Sequence, residues 1–172
     1  MSADVLAQSP DAPLVAGVSG GVGTTSLATA LRAQDGGVHR GERVQVLVCR
    51  ATTESLLRAA TAIGRMPGQP ILAVNAVDGA RPGRAVTARM TLIAPYTART
   101  VLLPHVARWR ELPRPIDDIR ALTTAARRDL DRSSRRWLDA VDQIAGTAPT
   151  APRAASTLVP MVGHVLRPER AR

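Results

Sequence analysis

The chain has 172 residues, enough for one domain around a single buried core. Hydrophobic residues make up 45% and aromatics 2%, with no Phe, which excludes disorder throughout and leaves Val, Leu, Ile and Ala to fill the core. The net charge is +9 and every basic residue is Arg, so any step that needs a lysine ammonium is excluded, and attraction to nucleic acid rests on summed charge alone.

Residues 1–12 read as a flexible leader. With Asp4 and Asp11 and no basic stretch before an apolar run, they do not read as a signal peptide. No apolar run approaches membrane-spanning length, so a cytoplasmic protein without a membrane span is expected. The one cysteine, Cys49, permits no internal disulfide and fits a reducing compartment.

Residues 14–18 are a short apolar run that ends in a glycine-rich loop. A helix is expected over 26–32, closed by Asp35-Gly36-Gly37 read as a turn. Residues 44–49 form a second, β-branched strand. Thr52 or Thr53 caps the next helix, with Leu56, Leu57, Ala60 and Ile63 on its inner face. Residues 71–74 give a third strand, 83–93 a helix stopped by Pro95, and 100–103 a fourth strand closed by Pro104. The apolar spacing across 116–144 predicts one long helix. Its outer face carries Arg120, Arg127, Arg128, Arg132, Arg135 and Arg136 among aspartates, with Asp131 and Arg135 expected to pair.

From Gly146 the composition turns to Thr, Ala, Pro and Arg, so 146–172 read as a flexible tail. Leu158, Val159, Met161, Val162, Val165 and Leu166 form one apolar patch in it, suited to docking on a partner or folding back. The domain is therefore 13–145. Strands alternating with helices predict an α/β fold, a parallel sheet of about four strands flanked by helices.

The densest motif is Gly17-Val18-Ser19-Gly20-Gly21-Val22-Gly23-Thr24-Thr25-Ser26, between a strand and a helix. Glycines there bring amide N–H groups close to an anion, and the helix dipole adds to the attraction. The motif resembles the loop of the MinD/ParA group of P-loop ATPases, K-G-G-V-G-K-T-T. Gly20, Gly21, Val22, Gly23 and Thr25 match, while Ser19 and Thr24 stand where the two lysines belong. G-G-V-G-T-T loops are similar to those of the CpaE/TadZ-like branch, which positions pilus and secretion machinery.

The resemblance spans about residues 14–144 and extends to Thr52-Thr53-Glu54-Ser55-Leu56, Val74-Asn75 and Leu102-Leu103-Pro104. It implies a nucleotide site formed by Ser19, Gly20, Gly21, Val22, Gly23, Thr24, Thr25, Ser26, Asn75 and Pro104. Asn75 would read the purine, and Thr25 would touch Mg only if Mg-nucleotide binds. The aspartates that such ATPases carry between the loop and the T-P-E-S-L segment have no counterpart, which points to deleted strand–helix units. Phosphoryl transfer depends on such charges, so a pseudo-ATPase adaptor or regulator is expected. It would have no catalytic residue, would hold ATP, ADP or no cofactor, and would serve a secretion, pilus or conjugation apparatus through a protein partner, with a homodimer left open. An ATP-binding switch with weak ATPase activity and a basic DNA-associated protein are the alternatives.

Arg50 or Arg84 could replace the missing cation. His105, Trp109 and Arg110 form a second dense motif, read either as an interface beside the site or, for Trp109, as a cover on the core edge. No Cys or His lies at metal-ligand spacing.

Overall fold

The structure, a computed structural model, describes residues 12–147. The leader over 1–12, but for its last residue, and the tail beyond 147 lie outside the described residues.

The fold is α/β. Five parallel strands lie in the order β2-β1-β3-β4-β5. They are β1 (Leu14–Gly17), β2 (Gln34–Val38), β3 (Val46–Arg50), β4 (Ile71–Asn75) and β5 (Arg99–Leu103). The helices are α1 (Thr24–Leu31), α2 (Thr53–Ile63), α3 (Arg84–Ile93), α4 (Pro115–Thr124) and α5 (Arg132–Ala145).

Alternation along the strands divides the core in two. Val46, Val48, Ile71, Ala73, Val101 and Leu103 face one side and pack with Leu27 of α1, Ile119 and Leu122 of α4, and Trp137 and Val141 of α5. Leu47, Cys49, Leu72 and Val74 face the other and pack with Leu56, Ala59 and Ile63 of α2 and Ile93 of α3. Trp137 is the largest fully buried side chain in a core built mainly of aliphatics.

The sheet has one strand more than the sequence predicts. Asp35-Gly36-Gly37 is not a turn but the middle of β2, an edge strand whose residues are all exposed. A Cβ at Gly36 would sit 2.9 Å from Leu14 Cδ1, and Gly37 has φ of +66°, so glycine is what lets β2 approach β1 past an irregular register. The return from β2 to β3 carries no helix. Residues 39–45 run back along β1, with the His39 amide donating to the Gly17 carbonyl and the Gln45 amide to the Leu14 carbonyl. Val44 on this stretch is buried against the α2/α3 side of the sheet.

The single helix over 116–144 is two helices. Ala125 and Ala126 are extended, with ψ of 148° and 134°, and a short 3₁₀ turn at Arg127–Asp129 follows. The Thr123 and Thr124 hydroxyls donate back to the Arg120 and Ala121 carbonyls, which favours an ending there. Asp131 then starts α5 afresh as its N-cap, accepting from the Ser133 and Ser134 amides. Its carboxylate is therefore not paired with Arg135. Asp131 pairs with Arg108 instead, and Arg135 donates to the Arg127 and Leu130 carbonyls.

On α2, Thr52 is the cap as predicted, its Oγ1 accepting from the Ser55 amide at 3.2 Å. The inner face is Leu56, Ala59 and Ile63, whereas Leu57 and Ala60 are exposed, one position off the predicted stripe.

Candidate functional site

The strand order reverses direction between β1 and β3. β1 leads through α1 to β2 on one side, and the chain then returns to β3 on the other. In open parallel sheets such a switch point leaves a crevice at the carboxyl ends of the strands. The glycine loop after β1 and Arg50 at the end of β3 flank that point.

The loop is shaped by close approach. Gly17 ends β1, and a Cβ there would lie 2.3 Å from Thr24 Oγ1 and 2.6 Å from Val22 Cγ2. Val22 and Thr24 therefore turn inward and are buried. Gly21 and Gly23 have φ of +71° and +94°, conformations that side-chain-bearing residues resist. Gly23 is the N-cap of α1 and supplies no side-chain cap.

Two side chains hold the loop from the neighbouring strand ends. Arg50 donates to the Gly21 carbonyl through Nε at 3.2 Å and Nη2 at 2.7 Å. Asn75, at the end of β4, donates from Nδ2 to the Val22 carbonyl at 2.6 Å. In a trans peptide the N–H points opposite to the C=O, so the amides of Val22 and Gly23 face away from these two braces. The amides of Gly23, Thr24, Thr25 and Ser26 make no hydrogen bond within the described residues. They are successive donors at a helix start, the arrangement that suits an anion.

A cleft of about 360 Å³ opens beside the loop. Gly21, Val22, Gly23 and Ser26 form one wall, Arg50, Asn75 and Pro104 the strand ends, and His105, Trp109, Arg110 and Trp137 the far wall. Arg110 reaches back to donate to the Val77 carbonyl. Trp109 meets Trp137 edge to face, with centroids 4.9 Å apart at 85°. Its Nε1 donates to Asp118 Oδ2 at 2.6 Å, and the same carboxylate takes Nε and Nη2 of Arg108 at 3.1 and 2.8 Å. Arg108 also pairs with Asp131. This lattice ties the segment after β5 to α4 and α5 and fixes the far wall.

Of the residues expected in the site, Gly21, Val22, Gly23, Ser26, Asn75 and Pro104 line the cleft. Ser19, Gly20, Thr24 and Thr25 do not. Gly20 and Thr25 are exposed beside it, and Thr24 is turned under the loop against Gly17. The motif of His105, Trp109 and Arg110 lies in the cleft wall. Trp109 is also packed against the core, in line with its reading as a cover on the core edge. Between the arginines weighed as a replacement cation, Arg50 touches the loop, while Arg84 begins α3 and is not among the lining residues.

The lining supplies two guanidinium groups, an imidazole and open backbone donors, and no carboxylate. That donor set fits a phosphate. It does not fit a resident divalent cation: among the described residues no three His, Cys, Asp or Glu side chains cluster as metal ligands, and Thr25 stands alone. Asn75 has committed its Nδ2 to the loop, and its Oδ1 has no partner within the described residues.

Trp137 and the Trp109–Asp118 bond were hidden in the sequence. Trp137 sits in a helical apolar stripe and reads as core, which it also is. Cys49 is buried on β3, and burial pushes its thiol up to about 12, away from any nucleophilic role. Among the described residues no helix is long and apolar enough to cross a membrane. Compared with family models, with curated proteins and with solved structures, the chain matches none.

Proposed function

We propose that this protein is a phosphate-responsive adaptor or regulator that holds a nucleotide in the cleft at the β1/β3 switch point and does not hydrolyse it. The observation that carries the reading is the juxtaposition of Arg50 with the glycine loop, next to the unpartnered amides of Gly23, Thr24, Thr25 and Ser26.

The chemistry follows from the donors. Backbone amides and a helix start attract the phosphate oxygens. Arg50, held on the Gly21 carbonyl, adds a fixed positive charge beside the loop. Arg110 and His105 extend the polar wall, and the Asn75 Oδ1 is an acceptor for an amino group of a base. Cleavage needs more than attraction: charge must be offset as it develops, and the attacking water must be oriented. The cleft lining offers no carboxylate for either task. Kinship with the MinD/ParA group, and service to a secretion, pilus or conjugation apparatus through a protein partner, are part of the same proposal and rest on the loop and the segments that follow it in order.

The test is thermal unfolding with ATP, ADP, inorganic triphosphate or buffer alone, with Mg present and absent. A ligand at ten times its Kd adds about 1.4 kcal/mol, a shift of a few degrees. The expected result is a shift with the di- or triphosphate that Arg50→Ala removes while the variant stays folded. No shift at millimolar concentration would overturn the binding claim. ATP turnover well above background, lost on Thr25→Ala, would overturn the non-catalytic claim and favour the ATP-switch alternative.

A further inference from the structure

Away from the cleft, the α2/α3 side of the sheet carries an apolar groove of about 460 Å³, lined by Leu56, Ala60, Ile63, Leu92, Ile93 and Tyr96. Leu92 is 72% exposed and Tyr96 64%, the two most exposed large hydrophobic residues among those described. The groove closes at its end with Gly64, Gly68 and Gln69, the connection that leads into the start of β4. It therefore lies toward the amino-terminal edge of the strands, opposite the glycine loop.

The described chain leaves from that same edge. Thr147 Oγ1 lies 3.5 Å from Nη1 of Arg99, and Gln143 Oε1 lies 3.5 Å from its Nη2. Arg99 begins β5 and stands three positions after Tyr96, a wall of the groove. The residues that follow, 148–157, are small, polar or Pro, and the next stretch is apolar: Leu158, Val159, Met161, Val162, Val165 and Leu166. Ten residues reach about 33 Å when extended and about 18 Å as a coil. The extended span exceeds the distance across one face of a domain of this size, about 28 Å or twice its radius of gyration, and the relaxed coil of about 18 Å must stretch to make it. A tether of this length gives an attached segment an effective concentration of roughly millimolar, above that of a second chain in dilute solution.

We infer that residues 158–166 of this same chain dock in the α2/α3 groove and cover Leu92 and Tyr96. The match is chemical. An unpaired apolar groove meets an unpaired apolar run, and the arginines that flank the run, Arg153 and Arg167, can stay in water at its two ends. Docking places the tail on the side of the sheet away from Trp137, with its anchor at the edge opposite the cleft. The inference is independent of what the cleft binds.

Disulfide trapping in the full chain tests it, and Cys49 is buried and does not compete. Val162→Cys is combined with Leu92→Cys in the groove, or with Arg128→Cys on the exposed far side. The expected result is an intramolecular bond in the Leu92→Cys pair, formed at least ten times faster than in the Arg128→Cys pair. Equal rates would overturn docking, and a covalent dimer at micromolar protein would assign the groove to a second copy. Leu158→Asp with Met161→Asp, which leaves the domain unchanged, is expected to abolish the fast bond and to raise binding of a hydrophobic dye at least twofold. An unchanged trapping rate in that variant would also overturn the inference.

Discussion

Asn75 Nδ2 donates to the Val22 carbonyl at 2.6 Å, joining positions 53 residues apart and tying the end of β4 to the loop after β1. The bond crosses β3, the strand that lies between them, so it sets the loop against the sheet edge as a whole. Asn75→Ala leaves that carbonyl without its donor, and half-buried acceptors left unpaired cost about 1–3 kcal/mol. The expected outcome in urea unfolding is a loss within that range, together with weaker protection by a triphosphate. Asn75→Asp should lose more, because a carboxylate would then face the carbonyl oxygen.

Two glycines of the loop, Gly23 and Gly20, should respond very differently to one methyl group. At Gly23 the added Cβ would meet Asn75 Nδ2 at 2.3 Å, and φ is +94°. Gly23→Ala is expected to cost at least about 2 kcal/mol, strain and contact together. At Gly20 nothing lies within 4 Å of the added carbon, and no positive φ applies. Gly20→Ala should stay within about 0.5 kcal/mol of the parent. Parallel urea curves for the two variants check the contrast.

The Cys49 thiol should be silent in the folded protein. Burial raises its pKa to about 12, so little thiolate exists at pH 8. Addition of a disulfide reagent to native protein is expected to release no chromophore on the timescale of minutes. In denaturant, one thiol per chain should react at once.

Asp131 gives the fold an acid limb. Hydrogen bonds from the Ser133 and Ser134 hydroxyls, then from the Ser134 amide, hold its carboxyl well below the usual value near 3.8. A group with a depressed folded pKa contributes stability above its unfolded pKa and loses it as pH falls toward the folded one. The contribution of Asp131 is therefore whole at neutral pH and starts to fade below about pH 4. Asp131→Ala should cost about 1 kcal/mol at pH 7, the typical worth of an N-cap. Asp131→Asn should cost less, since Asn also caps, and should flatten the decline between pH 5 and pH 2. Denaturation midpoints across that range measure both.

The layered fold was legible because its strands are buried on both faces. Runs such as Val46-Leu47-Val48-Cys49 and Ile71-Leu72-Ala73-Val74 are continuous apolar stretches, which only a covered parallel strand explains. β2 was not legible for the opposite reason. Gln34-Asp35-Gly36-Gly37-Val38 has no apolar pattern, and its pairing comes from the backbone of β1, not from side chains. The break in the long helix was masked by spacing: Ala126 and Leu130 continue the stripe by coincidence, while the stop signal lies in two threonines and a new cap. At the site, the loop announced itself by its glycines. Arg50 stood beside Arg84 as a candidate, and the choice between them depends on which strand ends lie side by side, which a one-dimensional pattern does not carry.

The bare return from β2 to β3 separates the rim of the sheet from its interior. One core closes on β1, β3, β4 and β5 and the other on β1, β3 and β4, and none of the β2 side chains takes part in either. The rim can therefore peel away at low energetic cost while β1 keeps its pairing with β3 and the anion cradle keeps its Arg50 and Asn75 anchors. Amide deuteration should then enter residues 34–38 well before it enters the strands on either side of the switch point.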